Sequence, residues 1–292
     1  MKYAKSLAPE KTLLLSYEVM IYSSHPVEPH VRQRILAALT DIEHQHHVTV
    51  LFACESGSRG WGFASPDSDY DVRFIYVNRL PWYLTALPQR DVIELPISDV
   101  LDINGWDLRK ALGLLRESNP TLLEWLRSPI VYRQDDAAMG TFATLAQAHF
   151  SRVRAWHHYA AMAKKNFREY LQGDAVRYKK YLYVLRPLLA ARWIAAHDAG
   201  APPMRFAELA EQVLDAGRDA ALIDEINRLL EVKMRAGEAA TSARWTGLHE
   251  FITRELAHHA DHPLQAPAPR ADVRELDAYL LDTVQRFNQE RA

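Results

Sequence analysis

Two patterns of apolar spacing divide the chain. Val48-Thr49-Val50-Leu51-Phe52-Ala53-Cys54 is a continuous β-branched and aromatic run, and Val72, Phe74, Ile75, Tyr76 and Val77 form a second. Runs of this length, bounded by Gly, Pro, Ser and Asp, read as buried strands. Asp91–Leu95 and Asp99–Ile103 read as two further short strands joined at Pro96. Residues 20–45 predict a helix leading into the first strand. After the last strand, Leu108, Ala111, Leu112 and Leu115 recur at helical spacing, and Asp107 stands where that helix's N-cap is expected. Asn119-Pro120 starts another helix, a cap followed by proline in the first turn, and Ser128-Pro129 ends it.

From about residue 135 the strand signals stop. Helical periodicity covers roughly 136–172, 174–198, 204–216, 219–235, 244–259 and 271–288, with loops at Gly200–Pro203 and His262–Pro269. Pro187 should kink or restart its helix. Residues 1–19 carry no usable pattern, and 1–25 are expected to be a leader without fixed structure, Met20 being an alternative start. The domains expected are thus the leader, a small α/β half at 26–134 and an α-helical half at 135–292, with a cleft between the last two.

The chemistry concentrates between the first two strands. Gly57-Ser58-Arg59-Gly60-Trp61-Gly62 follows the first, and ten residues separate Ser58 from Asp69 of Asp69-Tyr70-Asp71. Glycines permit backbone torsions and a close ligand approach that side chains forbid. Successive amides in such a turn make a concave anion site, with the Ser58 hydroxyl as an added donor. No Gly-Lys-Ser/Thr follows, which excludes the lysine-containing phosphate loop. In a strand, Asp69 and Asp71 would project from one face and repel. A divalent cation removes that repulsion, and magnesium prefers carboxylates plus phosphate oxygens.

Gly-Ser, a gap of about ten and Asp-x-Asp on a strand resemble the signature of the DNA polymerase β-like nucleotidyltransferase superfamily. Glu55–Phe63 with Ser65–Arg73 resembles one branch, the YcgL-type nucleotidyltransferases, some of them associated with RNA repair. The likeness continues through Gly105–Lys110, Ser118-Asn119-Pro120 and Lys179–Pro187, spanning most of residues 40–210. It implies an α+β fold: a small mixed β-sheet nucleotidyltransferase domain, then an α-helical domain closing the nucleotide cleft.

It also implies a third carboxylate on a later strand. Asp102 is chosen because a helix start follows it; Asp107, explained by capping, and Glu94 are the rivals. By the resemblance, Asp69 and Asp71 would hold two magnesium ions (manganese as a substitute), and Asp102 the catalytic one. Gly57, Ser58 and Arg59 would hold nucleotide phosphates. Lys164 or Lys165 and Lys179 or Lys180 would face them from the helical half, and Tyr183 would support the base. The substrate would be an NTP, with ATP expected. The acceptor would be an RNA end, a tRNA or a broken RNA. Protein AMP transfer of the antitoxin kind and a non-catalytic nucleotide- or RNA-binding module are the alternatives.

Composition narrows this further. Hydrophobic content of 48% and charged content of 25% are those of a soluble globular chain, and the single Cys54 excludes an internal disulfide framework. No apolar run approaches bilayer-spanning length, so a cytoplasmic protein without membrane contact is expected. With a formal net charge of −2, any nucleic-acid face must be local. Arg152–Arg168 and Arg177–Arg186, interleaved with aromatics, are the stretches to watch. His44, His46 and His47 lack companion ligands and read as surface residues. Arg192 and His197 match the spacing of the HEPN-type RNase motif. The same spacing recurs at Arg152/His157, Arg244/His249 and Arg254/His259, which removes its discriminating power.

Overall fold

The computed structural model describes residues 26–98, 100–198, 200–236, 240–265 and 272–289; the expected leader lies outside them. Helix α1 (Pro29–His46) has proline in its first turn and buries Val31, Ile35, Leu39 and Ile42, one stripe at helical spacing. His44, His46 and His47 are exposed at its C-terminal end, where a histidine meets the helix dipole favourably. The first apolar run forms β1 (Thr49–Glu55), buried everywhere beyond Thr49. A single turn, α2 (Gly57–Gly60), precedes β2 (Tyr70–Val77). Then come α3 (Leu80–Tyr83), β3 (Val92–Glu94), β4 (Leu101–Asp107), α4 (Leu108–Arg116), α5 (Pro120–Trp125) and β5 (Val131–Gln134).

The five strands make one mixed sheet in the order β3-β4-β2-β1-β5. Strand β2 runs antiparallel to β1 and parallel to β4. Period-two alternation gives the sheet two faces. Val72, Phe74 and Tyr76 join Leu101 and Ile103 against α1. Ile75 and Val77 lie with Leu108, Leu112, Leu122 and Trp125 on the other side. A register shift between Val50 and Phe52 lets Leu51 and Phe52 share that second cluster, as a β-bulge does. Gly105 is required because a Cβ there would sit 2.2 Å from the Phe74 ring.

The remaining elements are α6 (Asp136–Ala148), α7 (Arg152–Tyr170), β6 (Ala175–Arg177), α8 (Tyr178–Ala196), α9 (Phe206–Val213), α10 (Ala220–Arg235), β7 (Thr241–Ala243), α11 (Thr246–Asp261) and α12 (Val273–Gln289). Two expectations need correction. The helix predicted over 136–172 is two helices: His149-Phe150-Ser151 interrupts it, and the Ser151 side chain caps α7 by accepting from Arg154 N. The helical half also contains a ribbon, β6 paired antiparallel with β7, too short for a periodic signal.

The apolar clusters do not part at residue 134. Phe142 and Leu145 of α6, with Leu276, Tyr279, Val284 and Phe287 of α12, pack into the cluster on the sheet. Helices α7 to α11 form a separate one. The chain therefore returns to the sheet at its C-terminal end. Among the described residues no helix is long and apolar enough to cross a membrane.

Candidate active site

The site is built where β2 and β4 begin. Their parallel register pairs Asp71 with Asp102 and Arg73 with Asn104. Residues two apart on a strand share a face, so Asp71, Arg73, Asp102 and Asn104 stand together on one side of the sheet. The Arg73 guanidinium lies between the acids. Its Nη2 donates to Asp71 Oδ1 at 2.9 Å and to Asp102 Oδ2 at 2.7 Å. Its Nη1 donates to the Asp102 and Val72 carbonyl oxygens at 2.9 and 3.1 Å.

Two carboxylates thus converge on one cationic nitrogen, the donor set and convergence that a magnesium ion with water and phosphate oxygens requires. Among the described residues no group of three His, Cys, Asp or Glu is assembled for a metal. The pair fits one ion. Asp69 is exposed and stands immediately before β2, which starts at Tyr70. The close partner of Asp71 is Asp102.

Behind Asp71 stands Glu55, fully buried at the end of β1. Its Oε1 accepts from Asp71 N at 3.1 Å and its Oε2 from the Tyr132 hydroxyl at 2.5 Å. Burial pushes the Glu55 carboxyl up to about 7 despite those bonds. In front, Gly57 has φ +56° and presses on Asp71: a Cβ there would lie 1.8 Å from Asp71 Oδ2. This is why the turn after β1 needs glycine.

A cavity of about 320 Å³ opens beside these acids, lined by Ser56, Gly57, Asp71 and Arg73 from the sheet side. Thr121, Glu124 and Trp125 of α5, Met162 and Asn166 of α7, and Tyr183, Arg186 and Pro187 of α8 complete it with Trp61. Pro187 stays inside a continuous α8. Lacking an N–H, it frees the Tyr183 carbonyl four residues back. Asn166 Nδ2 reaches across from α7 and donates to that carbonyl at 2.8 Å.

Glu124 ties the walls together. It accepts from Trp61 Nε1 at 3.0 Å, from the Tyr159 hydroxyl at 3.2 Å and from Arg186 Nη1. Arg186, 2% exposed, also donates to the Met204 carbonyl at 3.2 Å and lies 5.0 Å from the Trp61 ring centre.

The other sequence candidates fall in different places. Ser58 and Arg59 are buried, and the turn offers the cavity Ser56 and Gly57 instead. Arg59 donates to the Ser68 carbonyl at 3.1 Å and lies over the Tyr70 ring at 4.1 Å, which holds it inside the fold. Asp107 caps α4 through Arg109 N at 2.8 Å and accepts from Asn78 and Tyr83, as its position predicts. Its carboxyl is raised by burial. Glu94 is exposed and bonded to Arg90 and Asn104.

Lys164 and Lys165 are exposed on α7, outside the residues that line the cavity. Lys180 Nζ sits 3.4 Å and 5.2 Å from the Tyr170 and Tyr183 ring centres. Desolvation, then the neighbouring Lys179, lowers its pKa. Lys179 is half-buried beside it. Tyr183 lines the cavity and meets Trp61 edge-on at 5.5 Å. Arg192 lies 3.6 Å from Glu255 while His197 stacks on Trp193, so that pair faces different partners.

Sequence reasoning did not single out Trp61, Thr121, Glu124, Trp125, Met162 or Asn166 for the site, and it named Arg186 only as the end of a basic stretch. A charged residue inside a fully apolar stretch was the available signal: Glu124 in Leu122-Leu123-Glu124-Trp125 and Arg186 in Val184-Leu185-Arg186-Pro187. Such residues persist in a core when they are paired.

Residues 31–282 match the family described as the RNA repair pathway DNA polymerase beta family. A Bacillus subtilis protein, the uncharacterized YcgL, is 44% identical over 256 residues, covering 87% of this chain and 97% of its own. A crystal structure of a nucleotidyltransferase-like protein from Exiguobacterium sibiricum aligns over 89% of this chain and 91% of that one, at 10% identity and a TM-score of 0.30, too distant to bear on the site. With most of its length inside that match, the chain belongs to the RNA repair pathway DNA polymerase beta family and is a nucleotidyltransferase.

Proposed function

We propose that the protein transfers a nucleoside monophosphate from an NTP, ATP first, to a hydroxyl at an RNA end, a tRNA or a broken strand. The observation that carries this reading is the register pairing of Asp71 with Asp102 and their convergence on one point at the cavity wall. The acceptor oxygen attacks the α-phosphorus, the bond to the β-phosphate oxygen breaks, and pyrophosphate leaves. A divalent ion held by Asp71 and Asp102 would supply charge neutralisation during the transfer.

The chain's own residues do the rest. Asp71 and Asp102 hold the cation, and Asp102 takes the acceptor proton. Gly57 and Ser56 let phosphate approach the backbone, and Tyr183 and Trp61 flank the base. Lys165 and Lys179 meet phosphates at the mouth. Positioning and electrostatics supply most of the acceleration.

The test is labelling from α-³²P-NTP with magnesium across RNA, protein and small-molecule pools. Asp71→Asn and Asp102→Asn should abolish labelling with the fold intact, while Asp107→Asn should keep turnover and lose stability. Labelled RNA supports the proposal. Labelled protein would replace it with AMP transfer to a side chain, and no label in any pool would leave a binding module.

A further inference from the structure

We propose that Arg73 is a resident cation of the acidic site, standing where a two-ion site would place a metal, so that the protein with its nucleotide binds a single divalent ion. This rests on the reading above and deepens it. Arg73 follows Asp71 by two residues on β2, on the same face, opposite the β4 strand that carries Asp102. Its guanidinium makes four hydrogen bonds, two to the carboxylates and two to backbone carbonyls of Val72 and Asp102.

The carbonyls decide the matter. A cation attracted only by the carboxylates would leave when a dication arrived, but backbone carbonyl oxygens do not change charge and stay in place. The planar fork reaches both strands at once, and a lysine in its place would keep the positive charge. The side chain is only 18% exposed, so it is held by the sheet and is not a surface residue that swung in.

Charge points the same way. Asp71 and Asp102 give −2 and Arg73 returns +1, which leaves −1 for metal. Before the nucleotide adds its own negative charge, a second dication at these acids would stand a few ångströms from the Arg73 guanidinium, like charge against like. Arg73 also lines the cavity, so its charge lies in the space the phosphates enter. It acts as a positioning residue: it fixes the spacing of the two acids and limits the ions they accept.

The experiment counts ions on the full chain. Mn²⁺ is titrated into protein saturated with an α,β-methylene ATP analogue, and free Mn²⁺ is read by electron paramagnetic resonance. The wild type should bind one Mn²⁺ per complex, Arg73→Lys one, and Arg73→Met two. Two ions on the wild type, or one on a folded Arg73→Met, overturn the inference while α-phosphate labelling still upholds the enzyme. If Arg73→Met does not fold, the wild-type count decides: one ion, retained in Arg73→Lys, supports the proposal. No Mn²⁺ on the wild type together with no labelling brings down the reading beneath it.

Discussion

Replacing Glu124 by alanine should be among the most damaging single changes to this molecule. Glu124 is 8% exposed and Arg186 2%, and the carboxylate is the partner of that guanidinium, of Trp61 Nε1 and of the Tyr159 hydroxyl. Removing one member of a buried ion pair costs about 3–5 kcal/mol, because the other charge stays buried without compensation. Each further donor left unsatisfied adds roughly 1–3 kcal/mol, less where water enters the gap.

A loss of about 4–6 kcal/mol is therefore expected for Glu124→Ala. That is comparable to the whole stability of many domains. It corresponds to a fall in Tm of roughly 10–20 °C for a chain of this size. Glu124→Gln, which keeps acceptors for Trp61 and Tyr159, should lose less. The decisive variant is the double replacement Glu124→Leu with Arg186→Met. Taking out both charges removes the uncompensated one, so it should recover much of the loss and show coupling of about 2–3 kcal/mol. Urea denaturation of the wild type, Glu124→Leu, Arg186→Met and the double variant measures the coupling, with Glu124→Ala run beside them. Additive losses, or a loss under about 1 kcal/mol for Glu124→Ala, would refute the view that this pair pins α5 to α8.

Two further predictions are independent of that pair. Gly57→Ala places a methyl carbon 1.8 Å from Asp71 Oδ2 at φ +56°, so the carboxylate must rotate away. The backbone strain is worth about 1–2 kcal/mol, but the displaced acid should lower labelling on the order of 100-fold. Gly113→Ala, in α4 with open space around it, should leave both unchanged or gain slightly in stability. Equal activity in the two variants would contradict this. His259, with its pKa pushed down to about 4 by burial, then by His258 and Arg192, binds its proton less tightly folded than unfolded. Its stability contribution is therefore present above about pH 6.5 and lost as pH falls towards 4, by up to about 3 kcal/mol. His259→Phe should flatten that part of the acid limb in denaturation at pH 7 and 4.5; an unchanged slope would count against it.

What the chain disclosed and what it hid follow from the range of each signal. Local signals were legible. The apolar runs became β1 and β2, and the Asp107 and Asn119 side chains accept from the first-turn amides of α4 and α5, whereas α8 runs through Pro187 without the restart expected there. The helix-start argument that favoured Asp102 placed it on the strand whose register brings it to Asp71. Long-range pairing was not legible. Nothing in Thr241-Ser242-Ala243 announces a partner at Ala175–Arg177, and the amphipathic α12 does not say that its apolar face belongs on the sheet. Arg59 was read as a phosphate ligand from its place in the turn, but Tyr70 and Ser68, ten or so residues on, draw it inward.

The charges around the cavity tie these pieces into one argument. Its lining carries two carboxylates, Asp71 and Glu124, and two guanidiniums, Arg73 and Arg186, which sum to zero. All four are held by hydrogen bonds to the strands and helices that frame the space. A polyphosphate entering a neutral cavity gains little from its net charge, so on the proposed reading its cation arrives with it or waits at the acids. The exposed lysines of α7 lie outside, where salt screens them. On that reading the lysine-rich stretches would govern approach and the arginines placement. Such a division would let a chain with a formal charge of −2 handle a polyphosphate anion.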